Sequence, residues 1–318
     1  MRGFDNRWRD FPDYILGITK EIWEDRGLGA RMREYYHPDV IVRMPGGIST
    51  GEPASTAATM ATLTEFPDRV LLGEDVIWSG TPEAGMLSSH RILSTATHRG
   101  GAFGPATGKR VSYRAIADCW AKDNQIADEW LVRDNGAIVR QLGVDPRDWA
   151  AADIAAGNTG APFTPERDVT GPYTGTGNDH EVGQAYAGLL AQLMQAEFSV
   201  IPEQWDRACH LEYPGGLTGH GHAAADAHWL GLRSAFPFAE FAVHHVIGRQ
   251  DERMPPRAAV RWSLTGVHAG WGAFDAPSGA EVHIMGIGHA EFGPWGLRRE
   301  WVLYDETTIW KQILMAQG

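Results

Sequence analysis

The chain repeats itself in order, and this constrains its fold more than any other feature. The pattern Glu-Trp-x3-Asp-x3-Ile-x2-Gln begins at Glu129 and again at Glu300. Shorter matches occur in the same order at an offset of about 170 residues: Pro-Gly-Gly at 45 and 214, Phe-Pro at 66 and 236, and an Arg followed seven residues later by His-x-Gly at 91 and 261. A series of matches at one offset indicates a tandem duplication.

A length of 318 residues is near twice that of a usual domain, in agreement with two copies. Residues 151–179 are rich in Gly, Thr, Pro and Asp and show no apolar period, which is typical of a linker. The sequence therefore predicts a first domain over residues 1–150, a linker over 151–179 and a second domain over 180–318.

Each copy begins with a helical pattern and continues with strand-like runs. Tyr14, Ile18 and Ile22 recur at helical spacing in the first copy, and shorter helices are predicted over 52–65 and 222–235. In the first copy, strand-like runs follow at residues 69–78, 86–98, 109–121 and 126–134. Helices followed by successive strands predict an α+β fold, a curved antiparallel sheet packed with N-terminal helices. The free sheet faces can pair as an intramolecular pseudo-dimer, and further homo-oligomerisation stays possible.

Composition excludes several classes of partner. A net charge of −12 argues against nucleic acid and anionic membranes, which call for basic patches. The chain has no run of 18 apolar residues that would span a membrane and no apolar N-terminal segment typical of a secretory signal. We therefore expect a cytoplasmic protein whose partner is a small molecule.

Three motifs in the first copy resemble a known family. They are Thr-His-x-Gly at Thr97–Gly100, Thr-Gly-Lys-Arg-Val at Thr107–Val111, and the ending at Ile126–Gly143. With these motifs the chain resembles the nuclear-transport-factor-2-like superfamily and, within it, the SnoaL-like polyketide cyclases. The resemblance covers nearly all of the first copy and, more loosely, the second. It implies two cystatin-like domains, each cupped around a cavity. It does not fix the activity, because the superfamily includes cyclases, isomerases, hydrolases, dehydratases and proteins without catalysis.

The resemblance also implies site residues. In the cyclases an Asp on the last strand and a pocket His on the preceding strand act in acid/base catalysis of an aldol closure. The Asp position matches Asp134 and Asp305. The His position falls on Trp120 and Glu291, so neither copy has a His there.

Strand alternation groups further candidates on single faces. If those faces are concave, the first cup receives two carboxylates and two indoles, and the second receives a more polar set. The candidate catalytic residues are Asp134, Asp305, Asp118, His289 and Glu291, with Trp120, Trp130 and Trp301 as walls. We expect the second copy to hold the active site, because an imidazole near two carboxylates can titrate close to neutral pH.

Plainer roles stay open for several of these residues. Asp134 and Asp305 could cap a turn instead of facing a pocket. The repeated Arg91 and Arg261 could bind substrate or form structural ion pairs, with Asp134 or Glu129 as the expected partner of Arg91. The remaining substrate-binding candidates are His98, His268 and His244, of which the first two could simply hydrogen-bond their own loops.

Cofactor motifs are missing from the sequence. There is no GxGxxG, P-loop, nucleophile elbow or CxxC pair, which disfavours nucleotide cofactors and covalent Ser or Cys catalysis. His220, His222 and the pair His244-His245 lack the spacing of a metal site, so no metal is expected.

Three functions compete. The first is a cofactor-independent enzyme that moves protons on a small organic carbonyl compound in an aromatic-lined cavity, as a cyclase, isomerase or hydrolase would. The second is a ligand-binding protein without catalysis, and the third is a scaffold. Carboxylates predicted on a concave face favour the enzyme, whereas the missing family His favours simple binding.

Overall fold

The computed structural model describes residues 1–318 and contains two six-stranded sheets, each with helices packed on one face. The predicted α+β tandem is therefore confirmed. The helices of the first half are α1 (Phe11–Thr19), α2 (Ala30–Tyr35), α3 (Glu52–Glu65), α4 (Asn135–Leu142) and α5 (Pro146–Ala155). Its strands are β1 (Tyr36–Met44), β2 (Gly47–Thr50), β3 (Val70–Thr81), β4 (Gly85–Thr97), β5 (Arg110–Lys122) and β6 (Gln125–Arg133).

The second half repeats this arrangement. Its helices are α6 (Glu181–Met194), α7 (Val200–Gln204), α8 (Gly221–Ala235) and α9 (Glu306–Gln317), and its strands are β7 (Trp205–Tyr213), β8 (Leu217–His220), β9 (Glu240–Arg249), β10 (Arg257–Val267), β11 (Glu281–Gly293) and β12 (Gly296–Leu303). The strand orders are β2-β1-β6-β5-β4-β3 and β8-β7-β12-β11-β10-β9. In each sheet the first long strand pairs parallel to the last one, and all other pairs are antiparallel.

The opening helix shows how the sequence sets these elements. Asp10 accepts a hydrogen bond from the backbone N of Asp13 and so caps α1, while Pro12 sits in the first turn, where its missing N–H costs nothing. The apolar face formed by Tyr14 and Ile18 is buried, as its spacing predicts. The helix is extended by a π-helical turn at Lys20–Glu24.

The two sheets pack face to face. Strand β3 contacts β9 and β10, β5 contacts β12, and β6 contacts β11. Each sheet thus has helices on one face and the other sheet on its second face, and the predicted pseudo-dimer is confirmed.

The segment between the domains is more structured than a linker pattern suggests. Helix α5 runs to Ala155, five residues into the predicted linker, and packs against α9. Further along, the Asp168 carboxylate accepts from Arg43 Nε at 2.5 Å, and the backbone N of Tyr173 donates to Asp128 at 2.8 Å. The segment between α5 and α6, residues 156–180, therefore crosses the junction of the two sheets. We call this segment the strap.

The hydrophobic cores of the two domains differ. The second domain has one contiguous cluster of 35 buried residues, whereas the first divides into clusters of 16 and 7 residues. A divided core indicates that something other than side chains occupies the middle of the first domain. None of the helices combines the length and the apolar character needed to cross a lipid bilayer.

Candidate functional site

A cavity of about 1250 Å³ lies between the sheet and the helices of the first domain and reaches residues of the second. On β5 the lining positions are Tyr113, Ala115, Ala117 and Cys119. Alternation along the strand turns Asp118 to the opposite face, toward the second sheet. The concave face is therefore the one that carries the odd-numbered residues of β5.

This parity corrects the predicted placement of most site residues. Asp118, Trp120 and Trp130 in the first domain, and His289, Glu291 and Trp301 in the second, do not line the cavity. Alternation correctly groups residues that share a face but does not identify the concave face. Both faces are buried here, one by helices and one by the other sheet, so burial signals in the sequence do not distinguish them.

Between the sheets the two repeated arginines make equivalent contacts. The Arg91 guanidinium lies 3.6 Å from the ring centroid of Trp301, and that of Arg261 lies 3.6 Å from the ring of Trp130. Arg91 also donates from Nε to Glu74 at 2.9 Å. The structural reading of Arg91 is therefore the right one, although its acidic partner is Glu74 and not Asp134 or Glu129.

His289 belongs to the same contact. Arg91 Nη1 donates to His289 Nδ1 at 3.0 Å, and His289 Nε2 lies 2.8 Å from Ser89 Oγ. Burial and the neighbouring Arg91 lower the pKa of His289 well below its usual value, so the ring is neutral, accepts at Nδ1 and donates at Nε2. It holds the sheets together and does not reach the cavity.

Asp118 and Glu291 are also engaged on this face. An Asp118 oxygen lies 3.4 Å from Arg261 Nη1, and burial raises the pKa of Asp118. Glu291 lies 3.6 Å from Arg299 near the sheet edge. Neither predicted catalytic carboxylate is close to the cavity lining.

Asp134 is a helix cap that also ties the domains together. One of its oxygens accepts from the backbone N of Ala137 at the start of α4, and both accept from backbone N atoms of the second domain, at Gly215 and Gly216. Burial raises the pKa of Asp134 to about 7. Its capping role, left open by the sequence, is the one that the structure supports.

Asp305 caps α9 and is the one predicted site residue that lines the large cavity. Its oxygens accept from Thr307 N and Oγ1, from Thr308 Oγ1 and from Asn135 Nδ2. Four hydrogen bonds use the lone pairs of the carboxylate, which leaves it little capacity to take a proton from a ligand.

The remaining histidine candidates bond locally. His98 contacts Thr107 Oγ1 at 3.1 Å, and His268 contacts Ser278 Oγ at 3.0 Å, so both fasten the loops in which they lie. His244 contacts Ser263 Oγ at 2.7 Å on the sheet. His220 contacts His210, whereas His222 bonds the carbonyl of Trp205, and no group of His, Cys, Asp or Glu residues has the geometry of a metal site.

Glu129 is a buried ionisable group in the wall of the cup. It is buried on β6, and Tyr36 donates to its Oε2 at 3.1 Å. Burial raises the pKa of Glu129 to about 7, partly offset by the Tyr36 hydrogen bond. A carboxyl group with this pKa changes its protonation state near neutral pH, as a general acid/base must.

His90 stands on the other side of the cup. Its Nδ1 lies 3.3 Å from Ser88 Oγ, and burial lowers its pKa to about 4, partly offset by a hydrogen bond to the backbone of Ala117. In the sheet register Glu129 pairs with Cys119 and His90 pairs with Ala117, so the two side chains flank a floor of small residues on β5. Their Cα atoms are thus roughly 12 Å apart, two strands across and two residues along.

The corresponding cup of the second domain is filled. The Trp262 indole occupies the space above Gly286, where any side chain would collide with it, and Tyr186 similarly covers Gly288. Glu300, the counterpart of Glu129, is fully buried and accepts from Tyr186 at 3.0 Å and Tyr213 at 2.7 Å. Aromatic side chains therefore occupy the cup in which the sequence places the active site, and they leave no room there for a ligand.

Sequence reasoning missed Glu129 and His90 as cavity residues. A signal was present, because Glu129 opens the longest repeated pattern and directly precedes Trp130, which was assigned to the pocket. Glu129 and Trp130 are neighbours on β6, so their side chains point to opposite faces, and the choice of the concave face decides which of them lines the cavity. His90 carries no repeated signal, since its counterpart in the second copy is Val260.

The chain is thus a tandem of two nuclear-transport-factor-2-like domains, of which the first has a large cavity and the second is packed with side chains. Residues 14–142 match the family model of the SnoaL-like polyketide cyclase. The first domain is therefore similar to the SnoaL-like polyketide cyclase family, and the second domain repeats its strand order.

Solved structures resemble single domains of this chain. IdmH from Streptomyces antibioticus is 24% identical, with a TM-score of 0.36, over 42% of this chain and 98% of its own. AclR from Streptomyces galilaeus is 21% identical, with a TM-score of 0.36, over 42% and 94%. A SnoaL-like polyketide cyclase from Agrobacterium tumefaciens is 17% identical, with a TM-score of 0.33, over 44% and 99%. Comparison with curated proteins found no significant match.

Proposed function

We propose that the first domain is a cofactor-independent enzyme that moves a proton on a small organic carbonyl compound bound in its cup. The observation that carries this proposal is Glu129, a buried carboxyl group with a pKa of about 7 in a largely apolar cavity. A base with this pKa is half ionised at neutral pH, where it can remove a proton from carbon and return it. The match of residues 14–142 to the SnoaL-like polyketide cyclase model supports the same class of chemistry.

The proposed step uses two residues. The Glu129 carboxylate removes a proton from the carbon next to the carbonyl group, and the C–H electron pair becomes the enolate. Neutral His90 donates from Nε2 to the enolate oxygen, a role that suits an imidazole whose pKa is about 4. Glu129 then returns the proton to a carbon of the enolate. The oxidation state of the ligand does not change, so no oxidant or reductant is needed. The small residues of β5 leave room for a ring between the two side chains.

Exchange of deuterium into 2-tetralone, followed by proton NMR, tests this proposal. Wild-type protein should accelerate exchange at the carbons next to the carbonyl group, and Glu129→Gln should lower the rate by about 10²–10⁴-fold, since a positioned acid/base contributes that much. Glu300→Gln is the matched control, because it alters the same motif position in the filled cup. Equal rates for Glu129→Gln and wild type would show that Glu129 is not the base.

A second function, ligand binding without catalysis, is favoured by one observation. Glu300 is held by tyrosines in a cup with no room for a ligand, so a buried Glu with a Tyr partner also serves structure alone. The same experiment separates the two functions. Saturable binding of 2-tetralone without any acceleration of exchange would support simple binding.

A further inference from the structure

The cavity of the first domain extends beyond that domain. Part of its lining comes from α5, from the strap and from the second domain, including Trp149, Thr164, His283, Thr308 and Lys311. We call this region the shared part, and the region lined by the sheet and helices of the first domain the cup part. A single-domain relative has no linker or second copy with which to build a shared part.

The strap creates this region by breaking the pseudo-symmetry of the two domains. On one side, the Pro-Gly-Gly turn of the second domain donates directly to Asp134. On the other side, the equivalent turn is met by the strap, where the backbone N of Phe163 donates to the carbonyl of Pro45 at 3.0 Å. The whole cavity, about 1250 Å³, exceeds the roughly 300–1,000 Å³ of an ordinary ligand pocket. Its size therefore fits a molecule longer than a single bicyclic ring.

His283 gives the shared part a fixed hydrogen-bonding group. The side chain is only 6% exposed, and its Nε2 is buried without any partner. Its Nδ1 lies 2.7 Å from Thr265 Oγ1, and its ring packs against Phe163. A buried polar atom without a partner is costly, so an atom of this kind at a cavity wall points to a ligand group that satisfies it.

The protonation state of His283 and the charges around it decide which ligand group can bind its Nε2. Burial lowers the pKa of His283, so the ring is neutral. In the tautomer that accepts from the Thr265 hydroxyl at Nδ1, the ring presents an Nε2–H donor. Lys311 is already paired with Asp153, and the oxygens of Asp305 are occupied by four hydrogen bonds. Arg69 and Arg133 also line the cavity, and Arg133 donates from Nε to Asn135 Oδ1 at 2.9 Å. The neutral Nε2–H of His283 itself carries no charge with which to select a carboxylate or phosphate. The matching ligand group is an uncharged oxygen acceptor.

We propose that the shared part is a second binding subsite, in which His283 Nε2 donates to a neutral carbonyl oxygen on a chain attached to the ring held in the cup part. The inference rests on the proposed function in that it uses the same cavity. It adds that the substrate is an extended molecule with two separated carbonyl groups, and that residues of the second domain select it.

Fluorine NMR of the full chain, labelled with 5-fluorotryptophan, tests the proposal. Trp23 lines the cup part and Trp149 the shared part, so their signals, assigned with Trp→Phe variants, report the two regions separately. The probes are 2-tetralones that carry chains of three to six carbons ending in a methyl ketone. Matched 2-tetralones whose chains end in an isobutyl group serve as controls.

The expected result is that one ketone probe shifts both signals and binds about tenfold more tightly than its hydrocarbon control, since one hydrogen bond contributes about that factor. His283→Leu should abolish this preference and the Trp149 shift, whereas His283→Gln, which keeps a donor, should retain part of both. A shift of Trp23 alone, or equal affinity for ketone and hydrocarbon probes, would overturn the subsite and leave the proposed function intact. If neither signal shifts, binding in the cup fails as well.

Discussion

Glu129 and Glu300 occupy the same position of the repeated Glu-Trp motif, yet their surroundings differ. Glu300 accepts from Tyr186 and Tyr213, and Trp229 Nε1 lies 3.4 Å from it. Glu129 accepts from Tyr36 alone. Glu129 therefore keeps lone pairs that can accept hydrogen bonds from a ligand in the cavity, whereas the lone pairs of Glu300 already accept from side chains of the core. A difference of neighbours, and not of the residue itself, distinguishes a candidate base from a structural carboxyl group.

The raised pKa of Glu129 makes a prediction about stability. Folded Glu129 titrates near 7 and unfolded Glu near 4.5, so the folded state binds more protons between these pH values. The contribution of Glu129 to the free energy of unfolding is therefore present below pH 4.5 and is lost as pH rises toward 7. Relative to Glu129→Gln, wild type should lose on the order of 3 kcal/mol across this window.

Urea unfolding at pH 5 and pH 8, followed by circular dichroism, measures this difference. Asp134 also has a pKa raised to about 7, but it is present in both proteins and cancels from the comparison. If the stability difference between wild type and Glu129→Gln stayed constant between the two pH values, Glu129 would titrate normally, and its assignment as a base at neutral pH would lose its support.

Among the elements, the floors of the two cups are closely related. Strand β5 presents Ala115, Ala117 and Cys119 to the first cup, and β11 presents Gly286, Gly288 and Ala290 at the equivalent places of the second. These glycines do not enlarge the cup, because Trp262, the counterpart of Ile92, covers Gly286 and Tyr186 covers Gly288. The large side chain at position 262 on β10 thus fills space that Ile92 leaves open in the first cup.

This comparison predicts the effect of Trp262→Ala. Removing a fully buried indole should cost about 3–5 kcal/mol in the free energy of unfolding, since the surrounding framework cannot collapse into the space. Because an apolar cavity of this size binds a small apolar molecule, millimolar indole should raise the thermal midpoint of the variant more than that of wild type. Differential scanning fluorimetry with and without indole measures both effects.

The matched control is Ile92→Ala, which changes the equivalent position in a cup that is already hollow. Its loss of stability should be smaller, and indole should stabilise it no more than wild type. If Trp262→Ala responded to indole no more than Ile92→Ala does, the second cup would be collapsing and not opening, and the proposed resemblance of the two frameworks at this strand would fail.

The elements themselves were predictable from the sequence. The strand-like runs at 86–98 and 109–121 agree with β4 and β5 to within one residue at each end, and the helix predicted over 52–65 is α3. Periodicity and the repeat determine these features locally. The concave face was not predictable, because both faces of each sheet are buried and polar residues such as Asp118 and Arg261 occur on the packed face. The filling of the second cup depends on side-chain volumes across strands, which no local pattern contains.

At the scale of the whole molecule, charged residues lie where two sheets meet, which is unusual for a packed face. Arg261 lies over Trp130 of the other domain and faces Asp118, and both charged side chains are almost fully buried. Arg91 and Trp301 repeat the arrangement across the pseudo-two-fold axis. Such pairs add little net stability over apolar residues, but breaking one leaves an uncompensated charge. Loss of one such pair should therefore lower the stability of both domains.

The coupling predicts how variants of this pair unfold. Arg261→Met leaves the Asp118 carboxylate buried without its cation and should cost about 3–5 kcal/mol, measured by urea unfolding. Adding Asp118→Asn removes the stranded charge, so the double variant should recover much of this loss. As a control, Arg9→Met breaks an exposed pair with Asp13 and should change stability by less than about 1 kcal/mol.

The number of unfolding transitions shows whether the two domains unfold together. Because the junction buries residues of both sheets, loss of the pair should weaken both domains together, and tryptophan fluorescence and circular dichroism should report one coincident transition. Trp23 and Trp229 lie in different domains, so Trp→Phe variants at these positions show which domain each fluorescence change reports. Two separate transitions in Arg261→Met, with the first domain unaffected, would mean that each domain is stable without the other and that the junction merely joins them.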